Sequence, residues 1–152
     1  MAGQWKFQWD LNENGETKNW HTVKYNDSEW YDIGIDSAWE KQTVGKEWRR
    51  KHDRDYDGIA WYRAQFTVDK KVKNKRIAIL FGAVDEACVV WVNGKKMLNR
   101  PYNPKINPDT WMEPFSIDIT DVIQVGQNTI AVRVEDRVGL GGIWKQVWLS
   151  QL

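Results

Sequence analysis

The chain is expected to be all-β, a two-sheet antiparallel sandwich of jelly-roll type, on three observations. From Ile59 onward apolar residues recur with period two, the period of a strand that buries one face. The runs follow one another at a spacing of about ten residues with turn formers between them, Asn93-Gly94 the clearest. Helical periodicity is scarce, and the single cysteine, Cys88, excludes an internal disulfide framework, so a packed core must hold the fold. The 152 residues read as one domain, 1–152, which can bury roughly two thirds of its unfolded surface.

The elements follow in order. Trp5, Phe7 and Trp9 alternate as a short first strand. The turn-rich "DLNENGETKNW" and then "YNDSEWYDIGIDSAWEKQ" read as short strands and long loops wrapping the sandwich, and "TVGKEWRRKHDRDYDG" as an exposed excursion. In "AWYRAQFTV" Tyr62, Ala64, Phe66 and Val68 share one face, with Trp61, Arg63, Gln65 and Thr67 on the other. "RIAILF" aligns Ile77, Ile79 and Phe81, and "ACVVWV" aligns Cys88, Val90 and Val92 before the Asn93-Gly94 turn. "FSIDI" contributes Phe115, Ile117 and Ile119, a further turn is expected at Gly126-Gln127-Asn128, and "TIAVRV" contributes Ile130, Val132 and Val134. "IWKQVWL" closes the series with Ile143, Val147 and Leu149.

Gly139, Gly141 and Gly142 precede that last run in "VEDRVGLGGIWKQVWL". A phosphate cradle needs such glycines to open a helix, whose free N–H groups meet the anion. Here a strand pattern follows, so the glycines are read as a sharp re-entry into the sheet that lets backbone approach a ligand or a neighbouring segment.

Composition narrows the function. The formal net charge is +1, which offers no global attraction for nucleic acid or an anionic membrane. No apolar stretch reaches the roughly 18 residues of a membrane span, and Met1-Ala2-Gly3-Gln4 is not a signal peptide. No G-x-S-x-G elbow is present, His21 and His52 lie in polar loops, and Asp53, Asp55, Asp57, Asp85, Glu86, Glu135 and Asp136 are candidate glycosidase carboxylates by type only.

Tryptophan is the outlier, at 11 residues. A core this small does not readily bury eleven indoles with every N–H paired, and planar aromatic faces suit the C–H faces of pyranose rings. Trp61, Arg63, Gln65, Trp91, Arg133, Glu135, Trp144, Gln146 and Trp148 would form a sugar platform if their strands share a sheet. Alternatively, the first part of the chain packs across that face and buries the indoles as a second core. Among loop aromatics, Trp39, Trp48, Tyr56, Tyr102 and Trp111 are candidate sugar contacts. The run "GKEWRRKHDR" sets basic side chains around Trp48, a pattern that suits an anionic sugar polymer better than DNA; a solvated loop is the plainer alternative.

In order and spacing, "DIGIDSAWEKQ", "YDGIAWYRAQFTV", "FGAVDEACVVWVNGKK", "FSIDITDVIQVGQNTIAVRVED" and "GGIWKQVWL" resemble the galactose-binding-like jelly-roll domain of family 2 glycoside hydrolases, from about Trp5 to Leu149. Similar jelly rolls occur in sialate O-acetylesterases. The resemblance implies a noncatalytic carbohydrate-binding module, excised from a larger secreted, periplasmic or cell-surface bacterial enzyme. Its expected partners are an oligo- or polysaccharide and a catalytic hydrolase domain in the parent chain, with no nucleic acid, no membrane and a monomeric state. It also implies that Asp136 matches a loop carboxylate reaching substrate at the barrel entrance, with Arg137 beside it for a uronate or hydroxyl. The expected sugar contacts are therefore Trp39, Trp48, Tyr56, Trp61, Arg63, Tyr102, Trp111, Asp136 and Arg137. No cofactor is required for such a role. Jelly rolls of this kind often carry a structural calcium, for which Asp10, Asp118 and Asp121 are the candidate ligands. The alternatives are a scaffold that packs on the catalytic barrel and an accessory domain of a carbohydrate esterase.

Overall fold

A computed structural model describes residue 1, residues 5–72 and residues 75–152. Residues 2–4, most of the start read as carrying no signal peptide, lie outside the described residues. Among the described residues nine antiparallel strands form two sheets. The larger sheet contains β1 (Trp5–Trp9), β2 (Tyr31–Ile33), β3 (Gly58–Val68), β5 (Ala87–Val92), β6 (Lys95–Arg100) and β8 (Gly126–Asp136), in the order β2-β1-β3-β8-β5-β6. The smaller contains β4 (Ile77–Phe81), β7 (Phe115–Asp118) and β9 (Val147–Gln151), in the order β7-β4-β9.

The period-two alternation does what the sequence reading expects. Phe7, Tyr62, Val90, Ile130 and Val132 of the large sheet meet Ile79 and Phe81 of the small one in a fully buried core. Each such side chain contributes about 1.5–3 kcal/mol on burial. β3 and β8 form the spine, paired along their full length from Gly58↔Asp136 to Val68↔Gly126.

Three expectations are corrected, and one strand was missed. "TVGKEWRRKHDRDYDG" is no mere excursion: Thr43–His52 is a helix, α1. Val44 and Trp48, four residues apart, lie on one face toward the core, and four basic side chains crowd the last turn, where they suit the negative helix end. So short a stripe inside a charged run leaves little periodic signal. Gly126-Gln127-Asn128 lies inside β8; the chain turns just before it, where Asn128 Oδ1 accepts the Gln124 N–H at 2.9 Å. β9 begins only at Val147, so Ile143 is buried from a loop and not from a strand. β6 was not anticipated because "KKMLNR" lacks β-branched and aromatic residues; it is an edge strand, where lysine deters pairing with other chains. The Asn93-Gly94 turn before it is as expected, with φ of 50° and 80°, the two positive values of a tight hairpin.

The outer face of the large sheet carries a second apolar layer made of Trp20, Trp30, Ile59, Trp61, Trp91 and Ala131. Trp61 stacks on Trp91 at 5.0 Å, and Trp20 meets Trp61 edge-on at 6.0 Å. Asp10 pins the layer by accepting hydrogen bonds from the Trp61 indole and the Asn14 and Gly15 N–H groups, each at 2.9 Å. Arg63 reaches Asp27 at 2.7 Å and also donates to the Trp20 carbonyl, tying the loop across the sheet. No helix among the described residues is long and apolar enough to cross a membrane.

Candidate functional site

The second layer decides the open question about the tryptophan face. Trp61 and Trp39 are fully buried, and Arg63 and Trp91 keep only 2% of their surface. None of them has a ring or guanidinium free for sugar, a correction to their nomination as contacts. Tyr56 is also buried, its hydroxyl donated to the Ile59 carbonyl at 2.9 Å. Trp148 is exposed, but it belongs to the small sheet and shares no face with Trp61. The surplus of indoles is thus largely structural.

The remaining nominated residues occupy three separate places. The first lies where α1 packs against β1 and β2, an open groove of about 540 Å³ lined in part by Leu11, Tyr31, Glu47, Trp48, Arg50 and Lys51. A second cleft of about 450 Å³, which includes Arg54, Asp55 and Asp57, shares Leu11 and Trp48 with it. Trp48 is firmly held: its ring stacks on His52 at 3.8 Å and meets Tyr56 edge-on at 4.8 Å. Its indole N–H is buried without an acceptor among the described residues. Tyr31 is 47% exposed and presents its ring at the groove. Arg49 is engaged with Asp55, Nε to Oδ1 at 2.7 Å, whereas no described carboxylate pairs with Arg50 or Lys51. The groove therefore combines aromatic surface with two cations, Arg50 and Lys51, and the carboxylate of Glu47. The sequence reading found Trp48 and the basic run but missed Tyr31 and Leu11, which only helix packing brings beside them.

The second place is a flat pair. Trp111 stacks on Trp144 at 5.6 Å, the Trp144 indole donates to the Trp111 carbonyl at 3.0 Å, and Lys145 covers the Trp144 ring at 4.6 Å. Trp111 is exposed, while Tyr102 is half-buried in the loop leading to it.

The third place is the loop of residues 137–142. Asp136 is 1% exposed, and its neighbour Arg137 turns its guanidinium to Glu135 at 3.0 and 3.1 Å. Asp136 instead accepts the Val138 N–H at 3.0 Å, and Glu40 accepts the Gly141 N–H at 3.1 and 3.2 Å. Burial pushes Glu40 up to about 7, Asp136 to about 6 and Asp85 to about 8. The glycines serve close approach to a neighbouring segment: a Cβ on Gly141 would lie 2.2 Å from the Trp39 ring.

The carboxylates nominated for calcium do not form a site. Asp10 is occupied by three N–H donors, Asp118 by Thr120 and Arg76, and Asp121 lies exposed beyond β7. Thr120 and Arg76 also hold the Asp118 carboxyl down at about 2.

Residues 1–149 match the model of the family described as glycosyl hydrolases family 2, sugar binding domain. A putative beta-glucuronidase of Formosa agariphila is 30% identical over 87% of this chain and 13% of its own length. A beta-galactosidase of Priestia megaterium is 26% identical over 98% of this chain and 16% of its own. The chain therefore spans less than a fifth of either relative. The crystal structure of a family 2 member from Bacteroides cellulosilyticus superposes on 99% of the chain and 20% of that structure, with a TM-score of 0.78 at 25% identity. A Ruminococcus gnavus beta-glucuronidase superposes with a TM-score of 0.80 at 22% identity, covering 100% of this chain and 28% of its own, and shows the same fold. The two-sheet sandwich and this match together place the chain in the sugar-binding domain family of family 2 glycoside hydrolases.

Proposed function

We propose that the chain is a noncatalytic carbohydrate-binding domain that positions a family 2 glycosidase on its saccharide, and that the saccharide lies in the groove between α1 and β1–β2. The observation that carries this reading is the groove's make-up: the exposed Tyr31 ring, the half-buried Trp48 ring, and Arg50 and Lys51 on the helix. Aromatic surface with a few convergent polar groups is the usual composition of a small-ligand cleft, and about 540 Å³ lies within the usual size range. Arg50 and Lys51 outweigh the one carboxylate of Glu47 in the lining, which favours a uronic-acid sugar. The reading assigns catalysis to another part of the parent enzyme, and the burial of Asp85 and Asp136, at 5% and 1% exposure, supports it.

An open groove of this size gives an affinity of roughly 10–1000 μM. Calorimetric titration with neutral and uronic-acid oligosaccharides tests it. Saturable heat with a uronic oligosaccharide is expected, weakened about tenfold in both Tyr31→Ala and Lys51→Ala. Unchanged affinity in both variants would refute the groove.

One observation favours a second reading, a scaffold packed on the catalytic domain. The tip of the 137–142 loop exposes Val138 (74%) and Leu140 (47%), apolar side chains with no cover in this chain. Heat with no glycan, from folded protein, would favour that reading. The glycosidase names of the relatives support a glycosidase parent over a carbohydrate esterase.

A further inference from the structure

Trp48 lines both clefts beside α1, and its ring is not bare. The His52 imidazole lies on it almost parallel, at 24° with the ring centroids 3.8 Å apart, so one indole face is covered. The other aromatic neighbours are buried and meet the indole at steep angles, Trp9 at 5.6 Å and 56° and Tyr56 at 4.8 Å and 75°. They hold the ring against the core, whereas His52 is exposed and lines the groove. The flat seat on the indole is thus taken by a residue of the groove's own lining.

Little holds His52 there. It is the last residue of α1, and Asp53 ends the helix directly after it in a left-handed conformation at φ 55°. Besides the stack, the imidazole Nδ1–H donates to the Trp48 carbonyl at 3.0 Å, at an exposed position where water can replace it. Among the described residues no carboxylate pairs with the ring. Exposed side chains change rotamer within picoseconds to nanoseconds, so the imidazole can leave without movement of the helix.

We propose that the indole face under His52 is a stacking subsite for a pyranose ring, and that His52 covers it in the free protein until the sugar displaces it. The inference rests on the reading that a saccharide occupies the groove. An imidazole lies on an indole by aromatic stacking, and a pyranose can take the same seat by setting its slightly positive C–H groups on the negative π face. The same groove supplies donors for hydroxyls or a carboxylate in Gln8, Arg50 and Lys51, and an acceptor in Glu47. Only the uncovered fraction of the protein is ready for this stack, so the cover weakens the apparent affinity, by about three- to tenfold for an aromatic pair of ordinary strength.

The test is a proton NMR titration with a uronic-acid oligosaccharide that follows the imidazole C–H signals together with the Trp48 indole N–H, paired with calorimetry on His52→Ala. The chain has two histidines, so the variant assigns both sets of signals. In the free protein the His52 signals should lie upfield, in the ring current of the indole. As the sugar saturates they should move toward the position of an unstacked histidine, in step with Trp48, while His21, which sits by Trp91 in the outer layer, stays still. His52→Ala, whose seat is already bare, should bind about three- to tenfold more tightly than the wild type. If Trp48 shifts saturably while His52 stays upfield, or if His52→Ala binds no more tightly than the wild type, displacement is overturned and the groove reading stands. If neither Trp48 nor His52 responds at saturating sugar, both fall.

Discussion

At Gly141 the backbone passes so close to the Trp39 indole and Asp136 Oδ2 that a methyl group has no space, whereas at Gly139 nothing lies within 4 Å and only the φ of +102° disfavours a side chain. Gly141→Ala should therefore destabilise the chain by about 3 kcal/mol or more and Gly139→Ala by only about 1 kcal/mol, measured by urea unfolding. Equal losses would show that backbone conformation, and not contact with Trp39, sets the cost. The sequence reading anticipated this close approach, because three glycines before a strand pattern leave few other roles. It had no means of finding Glu40, whose carboxylate holds the same loop from far away in the chain. Burial, then the Asp136 charge, pushes Glu40 up to about 7, against the Gly141 N–H that favours its ionised form. A carboxyl whose folded value is raised stabilises most below its unfolded value near 4.5 and loses that contribution as pH rises through about 7. Stability should fall by about 1–2 kcal/mol from pH 5 to pH 8, and Glu40→Gln should flatten part of that fall. An unchanged slope in the variant would remove Glu40 from the explanation.

The elements divide by how much of their environment the sequence encodes locally. β3, β4, β5 and β8 were legible because their core faces alternate with period two and tertiary packing only completes the pattern. The outer faces were not. A row of Trp61, Arg63 and Trp91 is compatible with a platform or with a second core, and the choice depends on where the segment containing Trp20 and Trp30 folds. Asp10 makes that choice visible, since one carboxylate joins the end of β1, the following turn and the Trp61 indole. Asp10→Ala should cost about 3 kcal/mol by leaving three buried or half-buried donors without their acceptor, and should red-shift the emission of the outer tryptophans as the layer loosens. A loss below about 1 kcal/mol would mean that the layer packs without it. Helix α1 escaped notice because Val44 and Trp48 are its main apolar contacts with the core amid polar and charged residues.

For the whole molecule, the family and the sandwich were recognisable from motif order, while the position of the groove was not. Trp48 and the basic run stood out in the sequence, but Tyr31 comes from a three-residue edge strand that α1 reaches only in the folded chain. The aromatic excess pointed to sugar for a reason the structure largely reassigns, as most indoles build the two apolar layers. What remains for ligand is the surface beside α1 and the Trp111–Trp144 pair, and these two places have separate indole reporters. The most direct measurement is a two-dimensional NMR titration of the indole N–H signals with a uronic-acid oligosaccharide. Saturable shifts confined to Trp48 and Trp9, with Trp111 and Trp144 unmoved, are the predicted result; shifts confined to Trp111 and Trp144, or none at saturating sugar, would contradict the groove as the binding site.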